Sequence, residues 1–164
     1  MDFEEVLQSR HSCRKFRLDP IEEEKKTLLL KAAQMGPSGR NLRPYRFVLV
    51  ESKETMDRVY DGLPFGRYPC PNALLIVGDE RKSEALWVQD CAAAAENVLL
   101  MATNLGLGSV WCAVYPYNDR LRNIDSIASC AEGEHVFCAI LLGYPSDEDK
   151  AREKVFKEEL ITRI

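Results

Sequence analysis

A chain of 164 residues has the length of one domain and is long enough to bury a substantial core. With 46% hydrophobic and 29% charged residues, its composition is that of a folded globular protein and excludes a disordered chain. The formal net charge is −4, no basic stripe is interleaved with aromatic residues, and every apolar stretch is too short to cross a bilayer. We therefore expect neither nucleic acid nor a membrane as a partner.

The start of the chain and its cysteines indicate a cytoplasmic protein without a metal. Residues 1–5 are acidic, the opposite of the basic start of a secretory signal. The six cysteines form no CxxC pair and only two histidines are present, so we expect free thiols and no metal site. No linker or repeat divides the chain, which predicts a single domain over residues 1–164.

A basic segment follows the first predicted helix, which spans residues 2–9 and is capped by Asp2. Arg10, Arg14, Lys15 and Arg17 place four positive charges within eight residues of an acidic chain. The arginine fork matches phosphate oxygens and Ser12 adds a hydroxyl donor, so this segment predicts a site for a compact anion. The alternative is a solvated helix end whose cations offset the helix dipole.

The next elements are marked by caps and breakers. A helix is predicted from Pro20 to about Met35, with Asp19 as its N-cap and Gly36-Pro37 as its end. A polar, turn-forming loop follows at 37–44. Then come a strand at 47–50, a helix at 52–60, a long irregular loop at 61–72 and a strand at 73–77. Irregular loops of that length are usually functional or mobile.

The second half of the chain begins with its longest predicted helix, roughly residues 84–104, which Gly106 ends in a left-handed cap. A strand at 110–114, a helix at 118–127 and a strand at 135–142 follow. Four strands among five helices fit either a parallel α/β or an antiparallel α+β arrangement. The charged tail carries apolar residues that predict docking on this subunit or on a partner: Val155, Phe156, Leu160, Ile161 and Ile164.

Five motifs occur in one order along the chain: residues 9–16, the 36–47 loop, Asp90 with Glu96-Asn97, residues 106–111 and residues 142–145. Together they resemble the FMN-dependent nitroreductase family over about residues 3–155. The resemblance implies an α+β fold with a mostly antiparallel four-stranded central sheet flanked by helices. It also implies a homodimer that binds FMN at its interface, with the tail, residues 146–164, extending the partner's sheet.

The same resemblance implies the cofactor-binding residues. Arg10 and Ser12 would hold the phosphate, Arg14 would lie near the ribityl chain and the pyrimidine edge, and His11 would bind through its main chain. Pro37, Ser38 and Gly39 of the other subunit would touch the isoalloxazine ring, and Asn41 would lie near its pyrimidine side. Segment 110–114 would run along the flavin with Val110, Trp111, Ala113 and Val114. A main-chain N–H, at Val114 or within one or two residues of it, would reach N5. Two late basic residues would bind the phosphate, Lys150 and Arg152.

The implied activity is reduction of the flavin at N5 by NAD(P)H, followed by reduction of a nitroaromatic, a quinone or a similar small acceptor in a ping-pong cycle. No catalytic residue beyond the flavin is required. The chain departs from the family pattern at Arg43, where a glutamine is usual, and at Ala113-Val114, where some members carry Glu-Gly. Two alternatives stay open: a flavin-binding sensor with little turnover, and special chemistry such as flavin breakdown or reductive dehalogenation. A reactive Cys13 thiol beside the arginines is a further, weaker alternative.

Overall fold

The described part of the chain comprises residues 1–65, 67–151 and 154–164 of a computed structural model. It forms five α-helices, namely α1 Phe3–Ser9, α2 Glu23–Gln34, α3 Lys53–Gly62, α4 Trp87–Asn104 and α5 Asn118–Ile127. It also forms five strands, namely β1 Phe16–Arg17, β2 Tyr45–Val50, β3 Asn72–Asp79, β4 Gly108–Ala113 and β5 Glu134–Pro145. Among these residues, no helix combines the length and the apolar character needed to cross a bilayer.

The sheet is antiparallel throughout. β3 lies between β2 and β5, and the other side of β5 pairs with β4 and, at its end, with β1. The α+β expectation with a mostly antiparallel sheet is therefore confirmed, and the four predicted strands are its four long strands. The two-residue β1 was not predicted, because two residues carry no measurable alternation.

Helices cover both faces of the sheet, which explains why all of β3 is buried. Side chains alternate between the faces of a strand. One set of sheet residues therefore packs against α2 and α4, and the alternate set packs against α3 and α5. The first set includes Leu74, Ile76, Ile140 and Leu142, and the second includes Leu75, Val77, Val136 and Leu141.

The predicted start of α2 is wrong by three residues. The helix begins at Glu23 rather than Pro20, and its N-cap Glu22 makes no capping side-chain bond. The Glu22 carboxylate instead accepts a hydrogen bond from the Tyr144 hydroxyl at 2.6 Å, and the Asp19 carboxylate lies 3.1 Å from Arg17 Nε. Buried Ile21 anchors the chain in the core before the helix starts, so tertiary contacts override the local capping signal.

The turn after α4 places the basic segment against β4. Gly106 adopts φ +72°, and the Leu107 N–H donates to the Ala102 carbonyl at 2.8 Å, as predicted for a left-handed cap. β4 then begins at Gly108, where an added Cβ would lie 2.5 Å from Cys13 Sγ. The Cys13 N–H donates to the Ser109 carbonyl at 2.9 Å, and Ser12 forms a parallel bridge with Ser109. Segment 12–13 therefore lies directly on the start of β4.

A partly buried ion pair ties β2 to the start of β5. Arg46 donates to Glu134 through Nε at 3.0 Å and Nη2 at 2.7 Å, and the Ala131 N–H donates to the same carboxylate at 3.0 Å. The hydrogen bonds from Arg46 lower the pKa of Glu134 to about 2, from an ordinary value of 4.5. Since the folded-state pKa is depressed, the ionised pair stabilises the fold above the ordinary pKa, and this contribution is lost as the pH falls toward 2.

We predict that Glu134→Gln lowers the free energy of unfolding by about 1.5–3 kcal/mol at pH 7, the usual contribution of a charged hydrogen bond. The difference from the wild type should shrink between pH 4.5 and pH 2 in denaturant titrations, because the wild-type carboxylate becomes protonated over that range. Asp57→Asn is the control, because Asp57 pairs with Lys53 on the exposed surface of α3. An equal loss for both variants at every pH would contradict this account.

Candidate functional site

The site is built along the open edge of β4. β4 pairs with β5 on one side, and its other edge bears no strand in the described part of the chain. The carbonyl of Ser109 accepts from the Cys13 N–H, and the carbonyl of Ala113 accepts from Arg120 Nη1 at 2.6 Å. Because backbone groups alternate in direction along a strand, the N–H groups of Trp111 and Ala113 face this open edge as well.

Val114, the first candidate for a main-chain N–H that reaches the flavin, does not present its N–H at the open edge. That N–H points toward β5 and donates to the Phe137 carbonyl at 3.2 Å. The Val114 side chain is fully buried between the sheet and α5. The N–H of Ala113, one residue earlier, faces the open edge and is not used in the pairing of β4 with β5. It is therefore available to a ligand.

A cavity of about 230 Å³ lies beside this edge. The structure brings four of the predicted site residues together there: Arg14, Val110, Trp111 and Ala113. The rest of its wall was not predicted and consists of Leu63, Pro64, Phe65, Tyr68, Cys112 and Arg120. Four of these belong to the 61–72 loop, and the length and proline content of that loop were the only sequence signal for a functional role. Gly66 of this loop lies outside the described residues.

The cavity is positively charged. Among the described residues, its lining contains two arginines and no carboxylate. The Arg14 guanidinium donates to the Ser12 carbonyl at 3.2 Å and the Arg120 guanidinium to the Ala113 carbonyl, so both are hydrogen-bonded to neutral groups. Within the described residues, neither guanidinium has a carboxylate within 4.0 Å. A ligand with negative charge and acceptor atoms fits this lining.

The thiols of this region are not nucleophiles at neutral pH. Burial raises the pKa of Cys112 to about 11, although the charges of Arg14 and Arg120 both oppose that rise. Burial and the nearby Asp149 raise the pKa of Cys13 to about 12. The structure does not favour the alternative of a reactive Cys13, because the thiol is fully buried against Gly108 and burial disfavours its thiolate form.

Asp149 fixes the shape of the basic segment. One carboxylate oxygen lies 2.5 Å from His11 Nε2, and the other accepts from the Arg14 N–H at 3.1 Å. Burial disfavours its charge, yet the bonds from His11 and from the Arg14 N–H leave the pKa of Asp149 below its ordinary value. The other ring nitrogen of His11, Nδ1, lies 2.9 Å from the Ser9 carbonyl. Because both ring nitrogens have partners within the protein, His11 is left to bind a ligand through its main chain, as the resemblance implies.

A second basic patch lies at the end of α1. Lys154 donates to the carbonyls of Leu7 and Arg10, where the helix dipole favours a cation. Partial burial and the charge of Arg10 lower the pKa of Lys154. Arg10 itself lies 3.9 Å from Glu96, and Lys150 is exposed. The predicted residue Arg152 lies outside the described residues, so the late cation that the structure places beside Arg10 is Lys154.

The 36–43 loop lies elsewhere on the subunit. The Gly39 N–H donates to buried Asp90 of α4 at 2.9 Å, and an added Cβ at Gly36 would lie 3.1 Å from the Ala94 nitrogen. Arg40, Asn41 and Arg43 have φ of 52°, 55° and 46°, a conformation that costs energy for residues other than glycine. None of the loop's predicted site residues lines the cavity: Pro37, Ser38, Gly39 and Asn41. One subunit thus carries two separate groups of predicted site residues.

Comparison with known proteins gives one consistent result. The family model described as the nitroreductase family matches residues 7–63 and 70–144. A protein of Methanothermobacter thermautotrophicus, named as a candidate NADH dehydrogenase/NAD(P)H nitroreductase, is 36% identical over 157 residues, or 93% of this chain and 82% of that protein. The crystal structure of a protein from Parabacteroides distasonis with the same name has a TM-score of 0.93 at 34% identity, covering 99% of this chain and 98% of that chain. The structure of an FMN-dependent nitroreductase from Clostridium difficile has a TM-score of 0.83 at 29% identity, covering 95% and 92%.

Proposed function

The chain belongs to the nitroreductase family, and we propose that it is an FMN-dependent enzyme that oxidises NAD(P)H and reduces a nitroaromatic, a quinone or a similar small acceptor. Family membership and the names of its relatives make the protein an oxidoreductase. The observation that carries the finer proposal is the cavity on β4, whose lining in the described part of the chain has two arginines and no carboxylate. The name of the similar Clostridium difficile protein supports FMN as the ligand.

The residues around the cavity fit FMN in charge and in hydrogen-bonding groups. Arg10, Ser12 and Lys154 surround the end of α1 and would hold the phosphate, since guanidinium and ammonium groups bind phosphate oxygens strongly. Arg14 and the Ala113 N–H would meet the acceptor atoms of the ring, and Trp111 would border it. The buried Nε of Arg120 has no hydrogen-bond partner among the described residues, which is consistent with a site whose donors are completed by a ligand.

When bound, FMN would supply the redox chemistry, accepting a hydride from NAD(P)H and passing electrons to the acceptor in a ping-pong cycle. The protein's own contribution is binding and electrostatics. Arg14 and Arg120 favour negative charge in the cavity, while the raised pKa of Cys112 keeps its thiol neutral there. The apolar groups of Leu63, Pro64 and Phe65 limit the access of water to one wall.

A homodimer would bring the two groups of site residues together. The 36–43 loop lies away from the cavity of its own subunit, and the tail exposes most of the Phe156 and Leu160 side chains, at 77% and 79%. Exposed apolar groups of this size normally find a partner. An apolar groove between α1, α2 and α4, lined by Phe3, Val6, Met35 and Met101, offers a surface for it. We propose that each site combines the cavity of one subunit with the loop of its partner, and that tail 146–164 docks on that partner.

The phosphate and ring assignments predict that Arg10→Ala combined with Arg14→Ala abolishes tight FMN binding. Each lost charge-assisted bond contributes about 1.5–3 kcal/mol, so the Kd of FMN should rise roughly 100-fold or more. The measurement is fluorescence titration of apoprotein with FMN. Arg58→Ala with Arg122→Ala is the control, since both side chains are exposed outside the cavity and the loss of charge is the same. Equal Kd values for the two double variants would contradict the assignment.

The shared site predicts complementation between subunits. Ser38→Trp should block the half of the site that the 36–43 loop supplies, and the Arg10/Arg14 double variant should disable the half that the cavity side supplies. Neither homodimer should therefore retain FMN. A heterodimer of the two variants, isolated with two different affinity tags, has one site in which both halves are intact. It should therefore bind one FMN per dimer. A heterodimer without FMN, or a wild-type protein that is monomeric in light scattering, would contradict the shared site.

A further inference from the structure

The cavity holds one cation more than the family resemblance assigns to it. Arg14 belongs to the basic segment, but Arg120 comes from the first turn of α5 and reaches the same cavity. The charges of both residues act on the Cys112 thiol between them. In a chain of net charge −4, two cations around one cavity whose described lining residues include no carboxylate are a local feature rather than a general bias.

The two cations approach from opposite ends of β4. The segment that carries Arg14 is bound to Ser109, and Arg120 is bound to Ala113. Four strand steps separate these attachment points, or roughly 13 Å at 3.3 Å per residue. Both guanidinium groups nevertheless line the same cavity, so a ligand that lies along β4 is within the field of both.

Arg120 is held in place more firmly than a surface arginine. Its guanidinium lies 4.0 Å from the centroid of the Tyr117 ring and 5.3 Å from that of Phe65, between α5 and the 61–72 loop. Nη1 donates to the Ala113 carbonyl at 2.6 Å, and Nε is buried without a hydrogen-bond partner among the residues that the structure describes. Aromatic faces and one neutral carbonyl stabilise the charge but do not neutralise it. The positive field of Arg120 is thus directed to the cavity by a rigid arrangement.

We propose that Arg120 is a redox-tuning residue, a second cation that stabilises the reduced form of the bound ring relative to its oxidised form. The inference rests on the proposed function. A hydride from NAD(P)H brings two electrons and one proton to a neutral ring and leaves NAD(P)⁺, so the ring gains one negative charge. A fixed cation in a partly desolvated cavity favours the state that carries that charge. The oxidised ring is neutral and gains less from the same cation.

A role in folding alone is the competing explanation, because Arg120 also joins α5 to the end of β4. The two explanations predict different measurable effects of removing the charge of Arg120. A structural tie would alter the melting temperature and would leave the ratio of affinities for reduced and oxidised FMN unchanged. A tuning role alters that ratio and is retained by lysine, which keeps the charge and loses the guanidinium fork.

The test compares Arg120→Gln, Arg120→Lys and the wild type, with Arg122→Gln as a control that removes the same charge from an exposed position on α5. For each protein reconstituted with FMN, the midpoint potential of the bound flavin and the Kd of oxidised FMN are measured. We expect Arg120→Gln to lower the ratio of reduced to oxidised affinity about tenfold. This corresponds to a midpoint potential about 30 mV more negative for a two-electron couple. Arg120→Lys and Arg122→Gln should stay within twofold of the wild type.

The outcomes separate this inference from the proposed function. If the wild type binds FMN and Arg120→Gln has the potential of the wild type, the redox-tuning role is wrong while the proposed function stands. If the wild type cannot be reconstituted with FMN, both are wrong. If Arg120→Gln does not fold, Arg120→Met, which also removes the charge, replaces it in the comparison. An affinity ratio about tenfold lower for Arg120→Met but within twofold of the wild type for Arg120→Lys supports the proposal. A wild-type ratio for Arg120→Met, or an equally large fall for Arg120→Lys, overturns it.

Discussion

The contact of the basic segment with the start of β4 is the constraint on which the site depends. Cys13 packs against Gly108 so tightly that a methyl group at Gly108 would overlap its sulfur, and the Cys13 N–H bonds to the Ser109 carbonyl. Because β4 is itself anchored in the sheet by β5, the flanking residues Ser12 and Arg14 acquire fixed positions at its open edge. Asp149 completes this arrangement by binding the His11 ring and the Arg14 N–H at once.

The distribution of charge explains how an acidic protein can bind an anionic cofactor. Many of its cations are paired with carboxylates, as in Lys26 with Glu51 or Lys53 with Asp57. The two arginines that line the cavity are bound instead to backbone carbonyls, which orient them without cancelling their charge. Such a site has a positive field before any ligand arrives, and a negative ligand pays little reorganisation energy on binding.

The elements that the sequence predicted well are those defined by local signals. α1 and α5 were predicted within one residue at each end, and Asp2 forms the capping box that its spacing with Glu5 allows. The four long strands were predicted as apolar runs, although each was predicted to begin one or two residues late, because hydrogen-bonded pairing starts before the apolar stretch. Family resemblance supplied FMN as the expected cofactor and four of the ten cavity residues, which periodicity alone does not provide.

The features that sequence reasoning missed depend on contacts between distant residues. Asp149 lies 138 positions from His11, and Lys154 lies 144 positions from Arg10, so no local pattern links them. Whether the N–H of Ala113 or of Val114 faces the open edge depends on which of them is hydrogen-bonded to β5. A shift of one residue in the strand register would exchange the two. Arg120 resembles any cation on an amphipathic helix until the structure places it beside the Ala113 carbonyl.

The most direct test of the account is anaerobic addition of NADH, and separately NADPH, to the purified protein reconstituted with FMN, followed by its absorption spectrum. The account predicts stoichiometric FMN, loss of the flavin absorption near its visible maximum with at least one of the two donors, and its return when a quinone or nitroaromatic acceptor is added. Bound FMN that neither nucleotide reduces would contradict the oxidoreductase cycle and would favour a flavin-binding sensor. A protein that does not take up FMN would contradict the assignment of the β4 cavity.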